Sequence, residues 1–530
     1  MLSRFETFCL LAALSACRGA QVEISVAAAL ARTDATRFAS FSFDLTNIFG
    51  VERTFFSLNS TKLRALARNL APSYVRFGGS FQDRAVSYFA GTPLPPPAPP
   101  GMLELHMNET VFDEIVDFCT STGLDLVYGL NAAVGRQLAD GSKAPWDAAN
   151  ALAPLQRAAA LGQRIPVVEL GNEVNVFNCS KDGAAKMSPA ELASQYATLA
   201  ATLRRLFPGA RLWGSDSSIT GDRVGQCWDY YGSDIFGFNR DLFAQPGWAS
   251  LLDAHTWHYY SQDSRNASST AALVLSPEYQ ARLPGYHAQA ASARDAVAPG
   301  LPLVMGETAS FWAGGRANVS NRFASGFWYL PQLGFLASKG YLAHIRQDLA
   351  GGDYGLLDLI QDARGAVVDF SPNPDYFLHA LWQQLMGGVA LGATVTPDNG
   401  SSGGSSDSGN TTSGLRAWAA CGARAAGAAT GGVTVLLVNF DAADAQVAIS
   451  LAGTNAASGT LGVYQLTPGD DEGLASATMR LNGELLEVQQ GTWQLPDMLP
   501  RLQPASEAVT LPPLSFAFLS LPEASAPACI

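Results

Sequence analysis

The chain has 530 residues, 48% of them hydrophobic and only 15% charged, proportions that exclude a disordered protein and leave room for two or more packed units. Its 33 basic against 46 acidic side chains give a formal charge of −13 and a pI near 4.9, which argue against nucleic acid or an anionic membrane surface as the main partner. Beyond the N-terminal twenty residues no segment is long and apolar enough to span a bilayer, so no integral membrane segment is expected.

Residues 1–20 place Arg4 ahead of an apolar run from Phe8 to Ala16 and small residues up to Ala20, the plan of a secretory signal peptide. Leu14-Ser15-Ala16-Cys17 also fits a bacterial lipoprotein cleavage box. Seven Asn-x-Ser/Thr sequons, at Asn59, Asn108, Asn178, Asn266, Asn318, Asn399 and Asn410, favour instead a eukaryotic secretory path. A secreted glycoprotein is expected, with lysosome or vacuole as the other destinations. Five cysteines follow the leader: Cys119, Cys179, Cys227, Cys421 and Cys529. They form no Cys-x-x-Cys pair and have no histidines at metal spacing, so no metal or other cofactor is expected. In an oxidising compartment five thiols allow two bridges and one leftover. The expected pairs are Cys421 with Cys529 and Cys179 with Cys227, leaving Cys119, inside a helical pattern, as the free thiol.

In chain order, Val22 to Ala29 reads as a strand and Phe38 to Asp44 as a second that ends on an acidic residue. Thr61 to Leu70 is a basic amphipathic helix, followed by strand and turn at Tyr74-Val75-Arg76-Phe77-Gly78-Gly79. A proline-rich surface loop covers Leu94 to Pro100. The helix Val111 to Ser121 leads to a strand Leu124 to Leu130, and the helix Asp147 to Leu161 to a strand Ile165 to Leu170. The helix Pro189 to Phe207 precedes a strand Ala210 to Gly214, and Leu251 to Tyr260 is an apolar approach to an aromatic and histidine cluster. The helix Pro277 to Val297 precedes a strand through Leu303 to Thr308, and the helix Arg322 to Lys339 precedes Tyr341 to Gln347. Eight strands alternating with helical or long connecting sequence predict an α/β fold, a (β/α)₈ TIM barrel over residues 21–388. Residues 389–530 then read as an appended β-sandwich of short alternating strands, with a Gly/Ser-rich loop at 398–413 and the N-terminal strand able to join it.

Two stretches repeat one grammar: proline, apolar strand, glycine, glutamate. They are Pro166-Val167-Val168-Glu169-Leu170-Gly171-Asn172-Glu173 and Pro302-Leu303-Val304-Met305-Gly306-Glu307. Each puts a glutamate at the carboxyl end of a strand, where barrel enzymes hold their active sites, and a pair of carboxyl groups is what glycoside hydrolysis needs. A Gly-Asn-Glu can also be merely a turn that closes a strand.

Taken with Lys62-Leu63-Arg64-Ala65-Leu66-Ala67-Arg68, Gly129-Leu130-Asn131-Ala132, Trp257-His258-Tyr259-Tyr260, Arg346-Gln347 and the final Ala528-Cys529-Ile530, these stretches resemble the heparanase-like family of retaining glycoside hydrolases, family 79 of clan A. The resemblance implies a secreted β-glucuronidase that works by double displacement, with Glu173 as general acid/base and Glu307 as nucleophile. It further implies substrate contacts from Asp44, Asn172, His258, Tyr260 and Gln347. Tyr354 and the Gly314-Gly315 loop would receive the uronate carboxylate. Asn172 could instead cap its turn, Asp44 a helix, and His258 could be a satisfied core residue. Two departures concern the carboxylate site: Ala313 stands where the animal enzyme has a third glycine, and Tyr354 lies one residue closer to Gln347. The connection Ser87 to Thr110 is short where the animal enzyme has an excised linker, so a single uncut chain is expected, working as a monomer. The chain's lysines are Lys62, Lys143, Lys181, Lys186 and Lys339 only, too few for a heparin groove. A plain glucuronide or lightly charged glucuronate-bearing polysaccharide or proteoglycan is the expected substrate. Two alternatives stand beside this reading: a retaining glycosidase for a neutral sugar, and an inactive carbohydrate-binding protein on a glycosidase scaffold.

Overall fold

The computed structural model describes residues 18–49, 55–97, 103–140, 142–179, 186–220, 234, 236–397, 404–405, 414–423, 430–452 and 459–530. Most of the expected leader, with Asn399, Asn410 and Cys227, lies outside the described residues, as do the side chains of Asn178 and Cys179. The described sequon asparagines Asn59, Asn108, Asn266 and Asn318 are all exposed.

Eight strands close into a barrel in chain order, every neighbouring pair parallel: β1 (Ala39–Asp44), β2 (Tyr74–Gly78), β3 (Asp125–Leu130), β4 (Val167–Leu170), β5 (Arg211–Thr220), β6 (Ala254–Tyr260), β7 (Leu303–Thr308) and β8 (Ala343–Arg346). Helices connect them on the outside: α1 (Thr61–Arg68), α2 (Glu109–Thr122), α3 (Ala153–Ala160), α4 (Pro189–Leu206), α5 (Gly237–Phe243), α6 (Pro277–Asp295) and α7 (Gly326–Ser338), with α8 (Pro374–Leu385) after the last strand. The caps follow the sequence chemistry. Ser188 and Glu191 form a reciprocal capping box at the start of α4, and Gly123 ends α2 at φ 77°. The helix expected over Asp147 to Leu161 is two pieces, Ala148–Ala151 and Ala153–Ala160, because Pro154 has no N–H to continue the first. The strand expected at Ala210 to Gly214 runs on to Thr220, which matters for the site below.

Strand alternation sorts the barrel interior into layers. Tyr74, Val127, Val167, Trp213, Ala254 and Val304 pack as an apolar floor at the amino ends of the strands. Two residues further along β2 and β4 come Arg76 and Glu169, both wholly buried, so charge begins directly above the floor.

Apart from two two-stranded sheets, Ala85–Tyr88 with Leu105–Asn108 and Leu357–Gln361 with Val367–Pro372, the remaining strands form two sheets around a separate apolar core. Arg18–Ile24 lies in the smaller one, antiparallel to Ala393–Pro397 and parallel to Ala445–Leu451. The larger sheet centres on Leu415–Gly422, Val433–Asn439, Ser515–Leu521 and Thr460–Pro468. A disulfide joins Cys421 to Cys529, and Cys119 is a buried free thiol. Helix α7 is buried on nearly all sides, as its uniformly apolar sequence requires of a helix clasped between two bodies. Phe327 packs on Phe516 and Phe440 of the sandwich, with ring centroids 4.5 and 5.2 Å apart.

Candidate active site

The carboxyl ends of the barrel strands converge on one cluster. Glu173, just past β4, and Glu307, on β7, present their carboxyl groups so that acidic oxygens and a nitrogen of His258 all lie within 4.8 Å of one another. Their side chains keep 21% and 10% exposure, whereas Arg76 and Glu169 beneath them have none. The pair therefore faces outward over a closed charged layer.

Arg76 organises that layer. Its Nε donates to Glu169 Oε2 at 2.8 Å, Nη1 to Glu307 Oε2 at 2.7 Å and Nη2 to Asn172 Oδ1 at 2.9 Å. Burial works against its charge, but the carboxylates of Glu169, Asp216 and Glu307 more than compensate and hold it protonated. Tyr260 donates its hydroxyl to Glu307 Oε1 at 2.7 Å, so both oxygens of Glu307 serve as acceptors and the side chain is fixed. Asn172 donates its backbone N–H to Asp83 at 2.7 Å, while its Nδ2 has no hydrogen-bond partner among the described residues. The amide is held on its acceptor side and left open on its donor side.

His258 is fully buried and stands behind the pair, away from the open face, so its contacts are with carboxyl groups. Its Nδ1 lies 3.2 Å from Glu173 Oε1 and its Nε2 3.2 Å from Asp216 Oδ1. Burial alone would favour neutral imidazole, yet the charge of Glu307 and the contacts with Asp216 and Glu173 push its pKa up to about 10. Asp216 is held below the usual carboxylate range by Arg76 and His258 in spite of burial, and Glu169 is raised by burial and by Asp216. Gly306 makes room for this group: a Cβ there would stand 3.0 Å from Asp216 Oδ1 and 3.4 Å from His258 Cδ2.

Asp44 combines the two roles open to it. Its Oδ1 accepts from the backbone N–H and hydroxyl of Thr46 at 2.9 and 2.7 Å, capping the helix Leu45–Phe49, while Oδ2 accepts from Gln347 Nε2 at 3.3 Å. Burial pushes it up to about 6. Ser42 in turn donates to Gln347 Oε1. Asp348, the next residue and wholly buried, is driven well above the carboxylate range by burial and by Asp44.

The two features assigned to a carboxylate ligand are built against each other. Asp353 N–H donates to Gly314 O at 2.5 Å, and a Cβ on Gly315 would stand 2.7 Å from Tyr354 N, so only glycine lets the loops close. Ala313 adopts φ 61°, continuing into Gly314 and Gly315 at 87° and 83°. The left-handed turn thus forms without a third glycine.

Among the described residues, Glu173, His258 and Glu307 are the one group of three acidic or histidine side chains spaced to hold a cation. Both Glu307 oxygens and both His258 nitrogens already have protein partners, which leaves no free ligand set. Arg76, Glu169, Asp83 and Asp216 were not picked out as site residues from the sequence. A charged residue inside the apolar runs of β2 and β4 was the available signal for the first two.

A family model, glycosyl hydrolase family 79, N-terminal domain, matches residues 51–334, over half of the chain. Heparanase-like protein 1 of Arabidopsis thaliana is 28% identical over 500 residues, covering 86% of this chain and 83% of that protein. Baicalin-beta-D-glucuronidase of Scutellaria baicalensis is 26% identical, covering 88% and 83%. Among solved structures, a 4-O-alpha-L-rhamnosyl-beta-D-glucuronidase from Fusarium oxysporum superposes with a TM-score of 0.63 at 18% identity, covering 94% of this chain and all of that one. A closed parallel barrel carrying two outward glutamates, an appended pair of sheets and a family model over most of the barrel lead to one conclusion: the chain belongs to glycosyl hydrolase family 79, a family of glycoside hydrolases.

Proposed function

We propose that the chain is a retaining β-glucuronidase, with Glu307 as nucleophile and Glu173 as general acid/base. The observation that carries the reading is the spacing of the pair, with carboxyl oxygens within 4.8 Å. Retaining enzymes hold their carboxyl groups about 5–5.5 Å apart, whereas inverting ones need about 6.5–9.5 Å to admit a water. In the first step Glu307 attacks the anomeric carbon while Glu173 protonates the leaving oxygen. In the second, water attacks with Glu173 as base. Asn172, fixed by Arg76 and Asp83, offers its Nδ2 to the sugar 2-hydroxyl. Tyr354 and the Gly314-Gly315 amides receive the uronate carboxylate, and the similarity to a named glucuronidase supports that sugar.

The test is hydrolysis of p-nitrophenyl β-glucuronide beside the matching glucoside and xyloside, with Glu173→Gln as control. Preferred cleavage of the glucuronide, lost in that variant, is expected, and Tyr354→Phe should impair the glucuronide far more than the glucoside. Equal losses would remove the tyrosine from carboxylate binding. Equal cleavage of all three sugars would favour the neutral-sugar alternative.

Asp44 and Asp348 add a pH dependence. A uronate anion placed beside them is repelled when they are ionised and tolerated when they are neutral. Because burial raises Asp44 to about 6 and Asp348 well above the usual carboxylate range, KM for the glucuronide should fall as pH drops from 7.5 to 5.5 while KM for the glucoside stays level. Parallel KM profiles for the two sugars would refute this placement of the carboxylate.

A further inference from the structure

Asp216 has no part in the reading above, yet it reaches the acid/base from two directions. Its carbonyl oxygen accepts the backbone N–H of Glu173 at 2.8 Å, and its carboxylate contacts His258, whose other nitrogen faces Glu173. Glu173 stands at φ 54°, a left-handed conformation unfavourable for a non-glycine residue, so this backbone bond pins a strained residue. Asp216 itself is immobilised, with no exposure and its N–H donated to Thr256 Oγ1 at 3.0 Å.

The order of partners fixes the protons. Ionised Asp216 only accepts, so His258 must carry a proton on Nε2. Nδ1 then faces Glu173 either as an acceptor from the protonated acid or as a donor to its carboxylate, and the two arrangements differ by one proton moved across 3.2 Å. We infer that Asp216 is a positioning residue for the acid/base: the line Asp216–His258–Glu173 keeps an exchangeable proton at the disposal of Glu173. The inference rests on Glu173 being the acid/base. In glycosylation the Glu173 proton passes to the glycosidic oxygen as the C1–O bond breaks and Glu307 bonds to C1, leaving Glu173 ionised and His258 neutral with Nε2–H on Asp216. In deglycosylation water bonds to C1, Glu307 departs, and the water's proton returns to the line.

The surroundings fit this arrangement. Arg76 from β2, Glu169 from β4, Tyr196 from α4, His255 and Tyr260 from β6 and Glu307 from β7 are the other titratable or charged groups facing the line. Asp216 is the carboxylate that touches Nε2. Its negative charge raises the proton affinity of the His258–Glu173 pair, so a neutral residue in its place lets the proton leave at lower pH.

The test has two arms on the full chain. In wild type, nitrogen-edited NMR of histidine side chains should find His258 protonated on Nε2 at pH 6. A neutral ring protonated on Nδ1 would overturn the inference whether or not any substrate is turned over. In Asp216→Asn, kcat/KM should fall about 10²-fold for a methylumbelliferyl glycoside, which needs protonation of its leaving group, and little for the dinitrophenyl glycoside, which does not. The alkaline limb of the pH profile should move to lower pH. Equal losses for both leaving groups with an unmoved limb would mean a merely structural role. The kinetics use whichever sugar the wild type cleaves, so a wrong sugar assignment leaves this test intact, and a Brønsted slope that is the same in wild type and Glu173→Gln would remove the acid/base role itself and this inference with it.

Discussion

Replacing Glu307 by alanine should lower turnover of every substrate by at least about 10⁴-fold, and azide should restore it with a product of inverted anomeric configuration. The expectation follows from how the side chain is held. Arg76 and Tyr260 grip both oxygens on the same end of β7, so no neighbouring carboxylate can swing into the vacated position. Glu173 lies beside it but is committed to His258, and Asp44 is committed to Thr46 and Gln347. A small anion in the space left by Glu307 attacks from the same face and, lacking a second displacement, leaves its configuration in the product. The fold should survive, because Arg76 keeps Glu169 and Asn172 as partners. Undiminished turnover would remove Glu307 from the nucleophile role, and an azide product of retained configuration would show that another group still attacks.

Arg76→Met should be the most damaging substitution in the barrel, lowering stability by about 3–5 kcal/mol as well as activity. Methionine fills much of the same volume but removes the cation that hydrogen-bonds Glu169 in a layer with no exposure, leaving only the weaker influence of His258. The effect has a sign in pH. Glu169 is already raised above its unfolded value, and losing Arg76 raises it further. A group of that kind favours the folded state while protonated, and wild type and variant differ in it only above the wild-type folded value of about 8, so the deficit should be level at low pH and grow as pH rises through about 8. Thermal melts of wild type and variant at pH 6.5 and 9 measure this. A deficit independent of pH would mean that packing rather than charge explains the loss.

The barrel was legible because its strands are short apolar runs between helices with clear caps, and Gly-Asn-Glu and Gly-Glu mark strand ends in the sequence itself. What lies beneath was not. Arg76 and Glu169 are each one polar residue in an apolar strand, 93 residues apart, and their pairing is a product of barrel closure. Asp216 was hidden for a different reason. After Trp213 the sequence Gly-Ser-Asp-Ser-Ser has the composition of a turn, yet it continues β5 because its polar side chains point into a polar layer and not into oil. His258 was legible as a member of an aromatic cluster, with substrate contact and satisfied core residue both open; its partner Asp216 lay beyond the expected strand end at Gly214.

The pairing of Arg18–Ile24 with Ala445–Leu451 bears on how the molecule is made. Gln21 finds Ser450 only 429 residues later, so on a ribosome the first strand must wait unpaired while the whole barrel is synthesised. Its three inward residues, Ala20, Val22 and Ile24, are buried in the finished protein and would be wet throughout that interval. Loop closure over such a distance is slow, and an exposed strand edge invites pairing with other chains. Release of the last third of the chain is therefore the event that completes the first, and truncation at the end of the barrel would leave two apolar segments uncovered: Arg18–Ile24 and the side of α7 that packs on Phe440 and Phe516.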